Sequence, residues 1–254
     1  MSKPILELKN VKTVVNKGTA NETTILKGIN LKINAGDFIT IVGTNGAGKS
    51  TLFNVIGGNL PADSGAILHN GTDITRTSEE QRTTFLARVF QDPKLGTAPR
   101  MTVAENMLLA TKRGEHRHLV PRRLKPNLAR FTKLAATMNN GLENRMTTAT
   151  GALSGGQRQA LSFLMATLKR PDILLLDEHT AALDPHTSLN LLHATNERIT
   201  QDHLTALMIT HHLEDALSYG NRLIVLKDGQ IRADFTGADK AKLTTEDLYR
   251  FFED

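Results

Sequence analysis

One glycine-rich run and one acidic strand end carry the first chemistry this sequence can do. Gly43, Thr44, Asn45, Gly46, Ala47, Gly48, Lys49 and Ser50 match the spacing G-x-x-x-x-G-K-[ST] and run on into Thr51. Glycines let a backbone wrap tightly enough for amide N–H groups to converge on phosphate oxygens, and a following helix N-terminus favours the negative charge. Within such a loop Lys49 neutralises the β- and γ-phosphates of a nucleoside triphosphate, and the Ser50 hydroxyl is offered to Mg²⁺. The motif requires a buried strand before it and a helix after it. Phe38 to Val42 is a continuous apolar run, and Leu52, Phe53, Val55 and Ile56 follow at helical spacing. A ligand-free strand-to-helix turn is the bland alternative; the full spacing and the Lys-Ser-Thr ending disfavour it.

The second element is Ile173-Leu174-Leu175-Leu176-Asp177-Glu178. Four apolar residues bury a strand and deliver two acids at its C-terminal end, where open α/β sheets place their ligands. Asp177 is expected to approach the Mg²⁺ shell, directly or through water, and Glu178 to polarise an attacking water. An acidic pair ending a strand is usually a solvated edge, so this reading gains its force from the phosphate loop. Leu153-Ser154-Gly155-Gly156-Gln157 precedes Ala160, Leu161, Phe163, Leu164 and Leu168, which makes a second glycine-loosened helix start suited to anions.

An LSGGQ run between a phosphate loop and an LLLDE strand closely resembles the ABC ATPase family, and the resemblance covers nearly the whole chain. It implies ATP and Mg²⁺ as cofactors and a head-to-tail dimer in which Ser154, Gly155, Gly156 and Gln157 act in trans on the other subunit's ATP. Val89-Phe90-Gln91-Asp92-Pro93 resembles the family's Q-loop, which gives Gln91 a contact to Mg²⁺ or the attacking water. Ala182-Leu183-Asp184 resembles the D-loop and places Asp184 at the dimer interface. Ile209-Thr210-His211 resembles the switch, from which His211 contacts the γ-phosphate; the neighbouring His212 replaces an Asp or Asn common in the family. Two further departures stand out. Residues 1 to 37 contain no Phe, Tyr or Trp, so Val15 falls where the family stacks an aromatic on adenine. His179 stands where proline is usual, and packing away from the site is its expected role.

The elements that must position these residues read as an α/β fold. It has a P-loop NTPase core with a mostly parallel central sheet, an N-terminal antiparallel β-subdomain and an inserted helical subdomain. Apolar and polar residues alternate from Leu6 to Val11 and from Ile29 to Ile33, the period of half-buried antiparallel strands, with a polar turn at Asn16 to Thr24 between them. Ile173 to Leu176 and Leu204 to Ile209 are buried strands separated by a helical stretch with Leu189, Leu192 and Ile199, a βαβ rhythm that implies a parallel sheet. Asp228-Gly229 between two strand patterns signals a two-residue hairpin turn. The chain closes with a helix carrying Leu248, Phe251 and Phe252. Between Asp92 and Ser154 strand signals vanish, and Thr102-Val103-Ala104-Glu105 is a capping box. Residues 1–254 are therefore expected to form one domain, with 92–158 as the inserted helical subdomain carrying the signature.

Composition bounds the function classes. Hydrophobic residues at 39% and charged residues at 22% suit a globular protein with a core. Zero cysteines exclude disulfides, thiolate metal sites and thiol catalysis. No apolar run approaches a membrane span and MSKPILELKN lacks signal-peptide character, so any membrane association is expected to be peripheral. The net charge of +5 is concentrated between Lys112 and Lys133, where eight Lys or Arg face one acid, Glu115. That segment has few aromatics for stacking bases, so no nucleic-acid partner is expected. One cassette without coiled-coil heptads resembles the separate motor subunits of bacterial importers, in particular a group that includes aromatic amino-acid uptake systems. This implies an ATPase at the cytoplasmic side of the membrane that powers uptake of a small nutrient such as an amino acid. The implied partners are membrane-spanning permease subunits, a second copy of the chain and an extracytoplasmic solute-binding protein. A soluble regulatory ATPase that uses the same dimer switch is the alternative.

Overall fold

Strand boundaries follow from where alternation and continuous burial begin and end. The structure, a computed structural model, describes residues 3–115 and 123–253. In chain order its strands and helices start with β1 (Leu6–Val15), β2 (Thr23–Ile33), β3 (Phe38–Val42), α1 (Lys49–Gly57), β4 (Ser64–His69), β5 (Thr72–Asp73) and α2 (Glu79–Arg82). They continue with β6 (Leu86–Val89), α3 (Val103–Ala110), α4 (Leu124–Ala136), α5 (Gly155–Thr167), β7 (Ile173–Asp177) and α6 (Pro185–Gln201). The last are β8 (Ala206–Ile209), α7 (Leu213–Ser218), β9 (Arg222–Lys227), β10 (Gln230–Thr236), α8 (Gly237–Lys240) and α9 (Thr245–Tyr249). These elements gather into two compact units, one formed by residues 1–82 and 204–254 and the other by residues 83–203.

In the first unit β1 and β2 pair antiparallel, with Leu6 opposite Ile33. Leu6, Leu8, Val11 and Thr13 turn inward from β1, and Leu26, Ile29, Leu31 and Ile33 from β2. Both strands run further than their clearest alternation, so β2 takes in Thr23 and Thr24. The order β2-β1-β4-β5 completes this antiparallel sheet. Strand β4 escapes the sequence pattern because it buries only Ile67 fully. A second layer runs β10-β9-β3-β8. Here β3 is buried along its whole length and lies parallel to both β8 and β9, which is why its sequence is continuously apolar. The turn into β10 has Asp228 at φ 52° and Gly229 at φ 74°, the left-handed pair that a tight hairpin needs. Leu248, Phe251 and Phe252 close over Val42, Ala216, Leu223 and Val225.

In the second unit β6 and β7 pair in parallel, Val89 opposite Leu176. From Asp92 to Ser154 the described residues form helices, 3-10 turns and one isolated bridge between Thr102 and Ala149. The expected capping box is present: the Thr102 hydroxyl accepts from the Glu105 N–H, and the Glu105 carboxylate accepts from the Thr102 N–H. Buried Asn106 ties this start down by donating to the Ala98 and Met101 carbonyls and accepting from the Ala98 N–H. The basic segment is not one free face. Arg113 donates to the carbonyls of Ala166, at 2.6 Å, and Lys169, and burial lowers its pKa. Lys112 pairs with Glu115 at 3.1 Å. Arg123, Lys125, Arg130 and Lys133 are exposed, while Arg117 and Arg122 lie outside the described residues. No helix among the described residues is long and apolar enough to cross a membrane.

Candidate nucleotide-binding site

The phosphate loop leaves β3 at Gly43, where there is no room for a side chain. A Cβ there would lie 2.2 Å from the Leu226 carbonyl oxygen of β9. Gly46 and Gly48 take φ of 81° and 101°, and Gly48 is the N-cap of α1. Lys49 is only 6% exposed and turns back over the loop, donating to the carbonyls of Gly43 at 2.7 Å and Thr44 at 3.1 Å. A buried ammonium held by carbonyl dipoles is a focused positive charge that an entering phosphate can share. Thr44, Asn45, Gly46 and Ser50 are exposed, Ala47 is buried and Thr51 partly so. The loop is therefore anchored at its root and open at its tip.

Two neighbours brace it. Gly229 donates its N–H to the Ala47 carbonyl at 3.0 Å and accepts from the Lys27 N–H at 2.9 Å. A Cβ on Gly229 would sit 1.9 Å from the Ile25 carbonyl oxygen. The hairpin turn visible in the sequence thus also props the phosphate loop, a contact no local pattern announces. Arg82 is 2% exposed and donates to the Val55 and Ile56 carbonyls, both at 2.7 Å, at the C-terminal end of α1.

His211 lies just beyond β8, the parallel neighbour of β3, and the Thr210 N–H donates to the Ile41 carbonyl at 3.3 Å. The switch residue and the phosphate loop therefore leave the same edge of one sheet. His211 and His212 are exposed, and His212 is the N-cap of α7. Val15 ends β1 opposite Thr23, partly buried. The following residues of β2 pass close to the loop, since Gly48 faces Ile25 and Leu26.

The acidic strand end belongs to the second unit. Asp177 closes β7 at 8% exposure, and Glu178 follows, partly buried, at φ 46°. A non-glycine residue in the left-handed region carries about 1–3 kcal/mol of strain, a cost commonly found at functional positions. Gln91 leaves the neighbouring strand β6 two residues beyond Val89 and is exposed. The parallel register brings Gln91, Asp177 and Glu178 to the same sheet edge. The Phe90 carbonyl accepts from the side chain of Gln159 in α5 at 2.9 Å, which ties the Gln91 loop to the signature helix. Arg88 reaches Asp177 with a 2.6 Å ion pair; an arginine inside the short strand LARV is the one sequence cue to it.

The signature residues form the N-terminus of α5. Ser154 is the N-cap and shares a reciprocal capping box with Gln157, whose amide also donates to the Asn140 carbonyl at 3.2 Å. Ser154 and Gly155 are exposed, and Gly156 is buried against Thr187 of α6. Asp184 caps α6 by accepting from the Thr187 N–H at 3.0 Å, and hydrogen bonding to the Thr187 side chain and then to its N–H lowers the Asp184 pKa. His179 is 2% exposed and packs inward, as expected.

Ser50 in the first unit, and Gln91 and Asp177 in the second, each carry an oxygen donor of the kind the hard cation Mg²⁺ takes. No group of three or more His, Cys, Asp or Glu forms a metal cage among the described residues. Mg²⁺ held by one carboxylate and substrate phosphates needs none.

Comparison with known proteins identifies the family. The family model described as ABC transporter matches residues 26–181. The tyrosine transport ATP-binding protein of Clostridioides difficile (strain R20291) is 40% identical, covering 98% of this chain and 99% of its own. Among solved structures, MJ1267, an ATP-binding cassette of an ABC transporter, aligns over all of both chains with a TM-score of 0.80 at 26% identity. The dimeric cassette MJ0796 bound to ADP and Pi aligns with a TM-score of 0.75 at 26% identity, over 91% of this chain and 98% of its own. The chain belongs to the ABC transporter family of ATP-binding proteins, which hydrolyse ATP to drive transport.

Proposed function

We propose that this chain is the ATP-hydrolysing motor of an importer for an amino acid, of the aromatic kind handled by its tyrosine-transport relative. The observation that carries the cargo reading is the 40% identity to that relative over almost the full length of both chains. The motor works as one domain, residues 1–254, with 92–158 as its helical subdomain. It pairs head to tail with a second copy, sits at the cytoplasmic side of the membrane against permease subunits, and serves a system with an extracytoplasmic solute-binding protein. The dimeric cassette among its structural neighbours supports the pairing.

In this reading the amides of residues 43–51 and Lys49 take the phosphates, Val15 lies against the base, and Ser50, Gln91 and Asp177 hold Mg²⁺. Bound Mg²⁺ supplies charge neutralisation at the phosphates. Glu178 polarises the water that attacks the γ-phosphate in line, and Lys49 and His211 stabilise the developing charge. Ser154, Gly155, Gly156 and Gln157 act on the other copy's ATP, and Asp184 lies at the interface between copies. ATP then drives the motor through its stronger binding to the closed dimer.

Glu178→Gln tests the chemistry: turnover is expected to fall by roughly 10²-fold or more while ATP binding persists, and a dimer should accumulate on gel filtration with ATP. Near-normal turnover would remove the assignment of Glu178. Retention of a multi-span membrane protein in detergent, followed by ATP-driven tyrosine uptake into proteoliposomes, tests the transport reading. Purification without any membrane partner would count against it.

A further inference from the structure

Arg88 holds the carboxylate to which the reading above gives the metal. It is the third residue of β6, opposite Leu175 in the parallel register, so its side chain must reach along the sheet to the end of β7. Its Nη2 donates to Asp177 Oδ2 at 2.6 Å, and each side chain is 11% exposed. The guanidinium also lies over the Phe90 ring, its central carbon 4.9 Å from the ring centroid. A charge-assisted contact this short and this sheltered is neither averaged away by side-chain motion nor strongly screened by salt. The flat guanidinium face suits the ring, a contact that an ammonium makes less well.

A guanidinium and a divalent cation compete for the lone pairs of one carboxylate, and their charges repel. We propose that Arg88 is a positioning residue that competes with Mg²⁺ for Asp177 and thereby sets how strongly Mg²⁺ assists ATP binding. Asp177 cannot serve the metal at full strength while Arg88 Nη2 holds Oδ2. The Phe90 ring gives the guanidinium a contact it keeps when that hydrogen bond loosens. Phe90 immediately precedes Gln91, the other metal-side residue of this unit, so movement of Arg88 is felt by both. The proposal rests on the reading of Asp177 as a metal-side carboxylate.

The test measures the affinity of the full chain for a fluorescent ATP analogue, once in EDTA and once in saturating Mg²⁺, for the unmodified protein and for Arg88→Gln, Arg88→Met and Arg88→Lys. The ratio of the two affinities isolates the metal's contribution. In Arg88→Gln and Arg88→Met the ratio is expected to rise roughly tenfold, the scale of removing one positive charge beside a divalent ion, with the EDTA affinity unchanged. Arg88→Lys, which keeps the charge, should stay near the unmodified value. Arg88→Met fills the space over Phe90 with an apolar chain, so it carries the test if melting shows that Arg88→Gln does not fold. A ratio unchanged or lowered in the neutral variants overturns the role of Arg88 alone. An unmodified protein indifferent to Mg²⁺ overturns the reading of Asp177 itself.

Discussion

His179 sets its Nε2 3.4 Å from the hydroxyl of Thr195 in α6, and both residues are almost completely buried. The residue directly after Glu178 is thus a pin between the end of β7 and the next helix. Burial pushes the His179 pKa down to about 4 from an ordinary value of 6.5. Between those values the unfolded chain holds a proton on this ring that the folded chain does not, so stability falls as pH drops through the window from 6.5 to 4. At pH 5 the loss is on the order of 2 kcal/mol relative to neutral pH. His179→Gln has no such proton to refuse. Denaturation at pH 7.5 and pH 5 should show the unmodified protein losing more stability than the variant, and parallel losses would show that the buried ring does not titrate this way.

The signature helix also meets α6 at a tight point. A Cβ placed on Gly156 would lie 2.3 Å from Thr187 Cγ2. Thr187 is β-branched and sits in the first turn of α6, so its methyl has few alternative positions. Gly156→Ala is expected to cost about 1–3 kcal/mol from overpacking. Adding Thr187→Ser removes the obstructing methyl and should restore most of that loss. Melting of the two single variants and the double variant measures the coupling; simple additivity would mean that the helices yield elsewhere.

Much of the site was legible because its parts are local. The phosphate loop, the helix start at Ser154, and the Asp228-Gly229 turn each need only neighbours within a few residues, and each stands where its pattern places it. What escaped depends on partners distant in sequence. Arg88 and Asp177 are separated by 89 positions, and LARV is too short to declare itself a strand. Gly229 meets Ala47 only after β9 has packed beside β3. Strand β4 begins with exposed Ser64 and Gly65, and its close approach to Asn10 is a property of the pairing rather than of its own residues.

Arg82 illustrates the same limit and makes a separate prediction. Its guanidinium donates to the carbonyls of Val55, Ile56 and Ile74 at 2.7 Å each and to the Thr77 hydroxyl at 3.0 Å. Burial lowers its pKa from the usual arginine value. Helix α1 therefore ends on a cation, which suits the partial negative charge of its last turn. Arg82→Met would remove the guanidinium from the Ile56 carbonyl, while the Val55 and Ile74 carbonyls keep donors in Gly58 and Thr77, a loss of about 1–3 kcal/mol. Because α1 begins at Lys49, ATP affinity should fall with stability. A variant that melts normally would show that water replaces the guanidinium.

Adenine recognition supplies the last prediction. Val15 ends β1 partly buried, in register with Thr23, and β2 continues from there past Gly48. If the base lies on this edge, it meets a branched aliphatic side chain where residues 1 to 37 offer no ring at all. Stacking on an aromatic contributes about 1–3 kcal/mol per base in proteins that bind single strands, and that gain is absent here. An aliphatic surface also lacks the directed hydrogen bonds that would tell adenine from guanine. ATP and GTP are therefore expected to bind with similar affinity. Val15→Tyr adds a ring and should tighten ATP binding by roughly tenfold, with GTP gaining in parallel because every base has a π face. Competition between the two nucleotides for one labelled analogue measures both effects. A marked ATP preference in the unmodified protein, or no gain in Val15→Tyr, would move the base away from this strand end.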